Sequence, residues 1–64
     1  MIIRMFFKDE EKKHCVIKSI GKLNCGNIIK INQSVIEVEF TNSIAFQEWK
    51  TEHKIIYGWL PELA

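Results

Sequence analysis

The first seven residues form an apolar run with two distinguishable sides. The odd-numbered positions of Met1–Phe7 are all apolar, whereas on the even-numbered positions Ile2 and Phe6 flank Arg4. Successive side chains of an extended chain point to opposite faces, so both faces of this segment carry apolar groups. An apolar run of this length that ends at a polar cluster is typical of a strand buried on both faces. We therefore predict a first strand over Met1–Phe7.

A second strand and a first hairpin are predicted next. The charged segment Lys8–Lys12 indicates a solvated turn, and Lys13–Ile20 then alternates loosely between apolar and polar residues, which predicts a strand. Gly21–Gly26 contains two glycines and an asparagine, the residue types that accept positive φ, and it predicts a tight turn.

The clearest local pattern lies in the middle of the chain. Asn27–Asn32 and Ser34–Phe40 predict a hairpin around a two-residue turn at Asn32-Gln33. This turn would place Ile29 opposite Ile36 on one apolar face. Asn-Gln is a weaker turn signal than Asn-Gly, so a slip by one residue, which would exchange the faces of a strand, stays open.

A helix and a last strand complete the predicted elements. Thr41–Ser43 offers three successive candidates for a helix N-cap, and Ile44–Glu52 has apolar residues at helical spacing. Trp49 lies on the apolar face of that helix and is expected in the core. Ile55–Leu60 is uncharged and apolar, which predicts a strand that ends at Pro61.

This order of elements defines the expected fold class, a mostly β (α+β) single domain over residues 1–64. We predict a five-stranded antiparallel meander with one short helix before the last strand. Small SH3-like barrels have this element order, and such a barrel is the favoured architecture. The alternative is an open antiparallel sheet with one helix on a face. The peptide-binding patterns of true SH3 domains are not visible, so the likeness extends to element order alone.

Composition limits the possible classes of protein. A chain of 64 residues buries only about 60% of the surface that its unfolded form exposes, so its core is small. The formal net charge of +1 favours neither a basic nucleic-acid-coating domain nor an acidic mimic of DNA. No targeting signal or membrane-length apolar stretch is evident, which predicts a cytoplasmic protein. The abundance of Ile, Lys and Asn is associated with AT-rich coding, as in low-GC bacteria and their phages, and suggests a phage or mobile-element origin.

The two cysteines are expected to be reduced thiols. If Lys13–Ile20 and Asn27–Asn32 form a hairpin about the Gly21–Gly26 turn, Cys15 lies opposite the far end of the second of these strands while Cys25 lies in the turn. Their α-carbons would be farther apart than the ~7 Å that a disulfide can span. Reduced cysteines are typical of a cytosolic chain.

Apolar surface left uncovered by the fold is the main functional lead. One short helix covers only one face of the sheet, and contiguous apolar patches on a soluble monomer usually mark an interface. We predict a non-enzymatic protein-binding module that forms a homodimer or occludes a larger protein. The predicted interface combines apolar residues of the first and last strands, with two aromatic anchors: Ile2, Phe6, Ile55, Tyr57 and Trp59.

A nucleic-acid-binding small barrel is the alternative function. Four lysines cluster around the predicted second strand, and small β-barrels often bind single strands with aromatic and basic side chains. Neighbouring acidic residues cancel much of the field of this cluster. Its members are Lys12, Lys13, Lys18 and Lys22.

Catalysis and metal binding are not expected, and no cofactor, membrane partner or small-molecule substrate is predicted. His14, His53 and the two cysteines lack the short spacings that allow a loop to enclose a zinc ion. His14 and Cys15 are adjacent and would point to opposite faces of a strand, so that histidine could not activate that thiol.

Overall fold

The computed structural model describes residues 1–63, which form four strands and two helices. Their bounds, in chain order, are β1 Ile2–Phe6, α1 Glu10–Leu23, β2 Gly26–Ile31, β3 Val35–Phe40, α2 Ser43–Tyr57 and β4 Glu62–Leu63.

The predicted strand over Lys13–Ile20 is wrong, because this segment lies within α1. Asp9 is the N-cap and accepts a hydrogen bond from the Glu11 amide at 2.9 Å. Two glutamates in the first turn favour the helix further, because they face the positive end of its dipole. The buried positions of α1 include Lys13, Val16 and Ile20, which share one helical face. The segment predicted as a solvated turn is therefore the start of a helix, and the first hairpin does not exist.

The predicted second hairpin exists, but its register differs. Asn32 accepts hydrogen bonds from the Ser34 and Val35 amides, so the loop lies one residue later than predicted. Ile31 is therefore opposite Ile36. A bulge between Ile28 and Lys30 then interrupts the pairing of β2 with β3. Because of this extra residue, the β2 residues before the bulge point to the faces opposite to those predicted. The core-facing side chain is consequently Ile28, which is opposite Val38, and the predicted pairing of Ile29 with Ile36 is wrong.

The predicted last strand over Ile55–Leu60 is also wrong, because α2 continues through Tyr57. Asn42 caps its start by accepting from the Ala45 amide at 2.9 Å. Gly58 ends it with φ of 80°, a left-handed conformation that glycine adopts without steric cost. Burial of Phe46, Trp49 and His53 at helical spacing favours the longer helix over a strand.

The strands form one open antiparallel sheet in the order β2-β3-β1-β4, with β1 paired to β3 and β4. This β-α-β-β-α-β order with interleaved strands is the ferredoxin-like, split βαβ arrangement. The predicted five-stranded meander and the SH3-like barrel are therefore wrong. The alternative of an open antiparallel sheet comes closer, but it has one strand too many and one helix too few.

Both helices pack on the same face of the sheet. The buried apolar side chains come from the helix-facing side of β1 and β3 and from the inner faces of α1 and α2. Phe40, Phe46 and Trp49 form the centre, with ring centroids 5.2 Å apart for the first two and 6.0 Å apart for Phe40 and Trp49. The core is therefore a single layer between sheet and helices, and within residues 1–63 no helix lies over the opposite face of the sheet.

Two glycines that the sequence assigns to one turn occupy different environments. Gly21 lies within α1, and nothing lies within 4 Å of an added Cβ. A Cβ on Gly26 would lie 2.9 Å from the side chains of Phe40 and Val38. We expect Gly21→Ala to raise the free energy of unfolding by about 0.5–1 kcal/mol through helix propensity, and Gly26→Ala to lower it by about 1–3 kcal/mol through overpacking.

Urea denaturation of the two variants and the wild type measures this difference. Opposite signs support the helical assignment of Gly21. Similar losses in both variants, as expected for two glycines in one turn, would contradict it.

Candidate functional site

The face of the sheet that no helix of residues 1–63 covers is a candidate surface, and we call it the open sheet face. Because side chains alternate along a strand, the residues of β1 and β3 that do not face the core point to this side. Pairing with β2 and β4 adds further residues. Its members are Ile2, Arg4 and Phe6 of β1, Val35, Glu37 and Glu39 of β3, Asn27 and Lys30 of β2, and Glu62 of β4.

Two large apolar side chains on the open sheet face are exposed. Ile2 is 58% exposed and Phe6 is 41% exposed. Phe6 pairs with half-buried Val35 on one side and with Glu62 on the other. Phe6 and Val35 therefore form an apolar patch at one end of the face.

A row of charges crosses the middle of the open sheet face. The Arg4 guanidinium donates a hydrogen bond from Nε to Glu37 Oε2 at 3.2 Å, and its Nη2 lies 3.2 Å from the same oxygen. Lys30 is opposite Glu37 in the β2–β3 pairing. Positive groups therefore flank a carboxylate across three strands, and the aliphatic part of Arg4 lies between Ile2 and Phe6 along β1.

The predicted interface residues do not form one surface. Ile2 and Phe6 lie on the open sheet face, whereas Ile55 is on α2, in the other layer, and is 71% exposed. Tyr57 and Trp59 are half-buried, at the end of α2 and just after it. The predicted set is therefore divided between the β1 pair on the open sheet face and the pair Tyr57 and Trp59, whose rings lie 6.0 Å apart at the end of α2.

Tyr57 and Trp59 instead surround a buried histidine. The ring centroid of His53 lies 4.6 Å from that of each, and the contact with Trp59 is nearly perpendicular at 82°. Trp49 covers another side at 5.0 Å. His53 Nδ1 lies 2.9 Å from Ser19 Oγ, which also accepts a hydrogen bond from Trp49 Nε1 at 3.0 Å. These residues form a buried cluster that joins α1 to α2.

Because the segment is helical, the four lysines of the predicted cluster do not form one basic patch. Lys13 is only 8% exposed, and its ammonium donates to the backbone carbonyls of Asn32 and Gln33 at 3.0 and 3.3 Å. The Lys12 ammonium lies 5.2 Å from the centroid of a Trp59 ring. Two of the four predicted lysines therefore contact other parts of the same chain.

The remaining two lysines, Lys18 and Lys22, are exposed on α1. They lie one helical turn apart and share one side of the helix. They do not extend onto the open sheet face, where Glu37 and Glu39 lie and would repel a phosphate backbone.

The two cysteines are free thiols, although the hairpin used to predict their separation is absent. Burial raises the pKa of the Cys25 thiol, and the negative charge of Glu48 acts in the same direction. A raised pKa reduces the thiolate fraction, so this cysteine is a poor nucleophile at neutral pH. Residues 1–63 contain no group of three or more His, Cys, Asp or Glu side chains that could hold a metal ion.

Within the described part of the chain, neither α1 nor α2 has the length and apolar character needed to cross a membrane.

Compared with known protein families, curated proteins and solved structures, the chain matches none.

Sequence reasoning missed several members of both sites. Arg4 and Glu37 could be placed opposite each other only once β1 was known to pair with β3. Ser19 and His53 are 34 positions apart, and their contact depends on two helices of which one was predicted as a strand. The alternation within β1 was the one signal that identified residues of the open sheet face.

Proposed function

We propose that this chain is a non-enzymatic protein-binding module that uses the open sheet face to associate with a second copy of itself. The observation that carries the proposal is the uncovered sheet face, on which Ile2 and Phe6 are exposed. Burial of apolar surface is the main favourable term in association, and at about 25 cal/mol per Å² even this small patch contributes.

The charges of the open sheet face favour a second copy as the partner. A two-fold interface brings the same patch of two copies together, so a charged patch associates with itself without repulsion only if it carries both signs of charge. The face carries Arg4 and Lys30 alongside Glu37, Glu39 and Glu62. An antiparallel arrangement of two copies can therefore oppose arginine and lysine to glutamate across the interface.

The size of the open sheet face sets the expected strength of association. Strands of 5, 6, 6 and 2 residues, about 4.8 Å apart, define a face of roughly 300 Å². Two such faces together bury roughly half of the ~1,200 Å² at the lower end of stable interfaces. We therefore expect a weak, concentration-dependent dimer.

Cytoplasmic location is part of the same proposal. Cys15 and Cys25 are both free thiols, and free thiols persist in the reducing environment of the cytoplasm.

Sedimentation velocity over ~10 μM to ~1 mM tests the proposal, a range that detects weak association. We expect the average mass of the wild type to rise with concentration. Phe6→Glu is expected to abolish this rise, because it places a carboxylate in the apolar patch of Phe6 and Val35, near Glu62. Ile55→Glu is the matched control, since Ile55 is an exposed apolar residue in the other layer.

The control variant is expected to associate as the wild type does. A wild type that stays monomeric throughout this range would refute self-association. Loss of the dimer in Ile55→Glu but not in Phe6→Glu would move the interface to the helical layer.

A further inference from the structure

The last described residues are attached to the domain through few contacts. Residues 58–63, which we call the C-terminal latch, follow the left-handed Gly58 and contain the two-residue strand β4. Only Leu63 and Glu62 pair with β1. A crevice of about 100 Å³ separates α2 from Leu60, Pro61 and Leu63. Short pairing and incomplete packing mark a segment that opens at low free-energy cost.

Trp59 is the main anchor of the C-terminal latch. Its ring meets that of His53 almost at a right angle, with centroids 4.6 Å apart, and it lies 6.0 Å from that of Tyr57. The Lys12 ammonium of α1 lies over its indole at 5.2 Å. Trp59 therefore holds the latch against side chains of both α1 and α2.

The polar contacts of His53 suit a neutral ring and not a charged one. The side chain is fully buried, and Nδ1 shares a hydrogen bond with Ser19 Oγ. Nε2 is also buried and, among the described residues, has no hydrogen-bond partner. An imidazolium carries a proton on both nitrogens, so its Nε2–H would lack an acceptor. Burying a charge without such a partner is strongly unfavourable.

The groups around His53 do not compensate a positive charge. α1 contributes the Lys12 ammonium, which lies on the Trp59 ring. α2 contributes the Tyr57 phenol. It also contributes Lys50, which lies one turn before His53 and places its ammonium over the Phe46 ring. Residues 58–61 of the latch contain no titratable side chain. Burial is the cause that lowers the pKa of His53 below its ordinary value of 6.5.

We propose that His53 makes the attachment of the C-terminal latch sensitive to pH, because protonation of its imidazole releases Trp59 and the latch from α2. The closed form disfavours the proton, whereas the open form hydrates the imidazolium. Release also removes β4 from β1, which leaves β1 as an edge strand of the sheet.

The sign of the pH dependence follows from proton binding. Below pH ~6.5 the open form binds more protons than the closed form, so the fraction of open molecules rises as the pH falls. The opening equilibrium constant increases by up to about tenfold per pH unit. This increase ends below the lowered pKa of His53 in the closed form, where both forms are protonated.

Two-dimensional ¹H–¹⁵N NMR of the wild type from pH ~8 to pH ~5 tests the proposal across the range in which histidine titrates. We expect the signals of Trp59, Leu60 and Leu63 to move towards disordered positions together with protonation of His53, while those of Val38 and Phe40 stay. Simultaneous loss of the Val38 and Phe40 signals would show global unfolding and overturn the latch. An unchanged Trp59 signal during protonation of His53 would overturn it as well.

His53→Phe provides the matching variant, because it keeps a ring between Trp49 and Trp59 but cannot bind a proton. Ser19 Oγ can still donate to the Val16 carbonyl and accept from Trp49. We expect this variant to keep the latch closed at pH ~5. His14→Phe, on the exposed surface of α1, is the control and is expected to open as the wild type does. Opening of His53→Phe at acid pH would overturn the assignment to His53, and the wild-type titration tests the latch even if this variant fails to fold.

Discussion

Trp49→Ala is expected to leave most of the chain unfolded at 25 °C. Trp49 is fully buried, contacts Phe40 and Phe46, and donates from its indole nitrogen to Ser19 Oγ at 3.0 Å. Truncation of a buried tryptophan costs about 3–5 kcal/mol, and a domain this small has little more stability than that. The loss of far-UV circular dichroism without denaturant measures the effect.

Trp59→Ala is the matched control for this prediction. Trp59 is only half-buried and belongs to the C-terminal latch, so its truncation is expected to lower stability less and to leave the sheet folded. If Trp59→Ala destabilised the chain as much as Trp49→Ala, the division between a rigid core and a weakly attached latch would be wrong.

Lys13→Glu is expected to be the most damaging change among the lysines, with a loss of about 2–4 kcal/mol in the free energy of unfolding. The Lys13 ammonium is held by two carbonyls of the β2–β3 loop and lies 3.4 Å from the Glu10 carboxylate. A glutamate at this position would turn all three contacts into repulsion in a nearly buried place. Urea denaturation followed by circular dichroism measures the loss.

Lys18→Glu reverses the same charge at an exposed position of α1 and is the control. Surface substitutions of this kind usually change stability by less than about 0.5 kcal/mol. Equal losses in the two variants would mean that Lys13 is solvated, and would return it to a lysine patch available for nucleic acid.

Strands whose core-facing residues recur at every second position were predictable from sequence. β1 follows its apolar odd positions, and the β2–β3 hairpin follows two alternating runs around Asn32. Its register was not predictable, because the bulge at Ile29 depends on which β2 side chain packs under α1. The start of α2 was also predictable, since Asn42 is a strong N-cap.

In Lys13–Ile20 and Ile55–Leu60 the apolar pattern alone did not distinguish a helix from a strand. Val16 and Ile20 fit a loose strand as well as a helix, and the contribution of Asp9 as a cap was hidden within a charged run. Ile55 and Tyr57 alternate like strand residues, but burial of His53 one turn earlier extends the helix through them. Tertiary packing decided both cases.

The candidate site was predictable only where it depends on a single strand. Exposed Ile2 and Phe6 follow from the alternation within β1. The roles of Tyr57 and Trp59 did not follow, because their position depends on the end of α2 and on a histidine that bonds to a distant serine. Contacts between elements far apart in the chain require the topology to be known first.

Methyl NMR of the wild type at increasing protein concentration tests the central proposal, the use of the open sheet face, most directly. Ile2 and Val35 report on this face, whereas Ile44 and Ile55 report on the exposed surface of α2. We expect the methyl signals of Ile2 and Val35 to shift with concentration while those of Ile44 and Ile55 stay constant. Shifts confined to Ile44 and Ile55, or no shifts up to ~1 mM, would contradict the proposal.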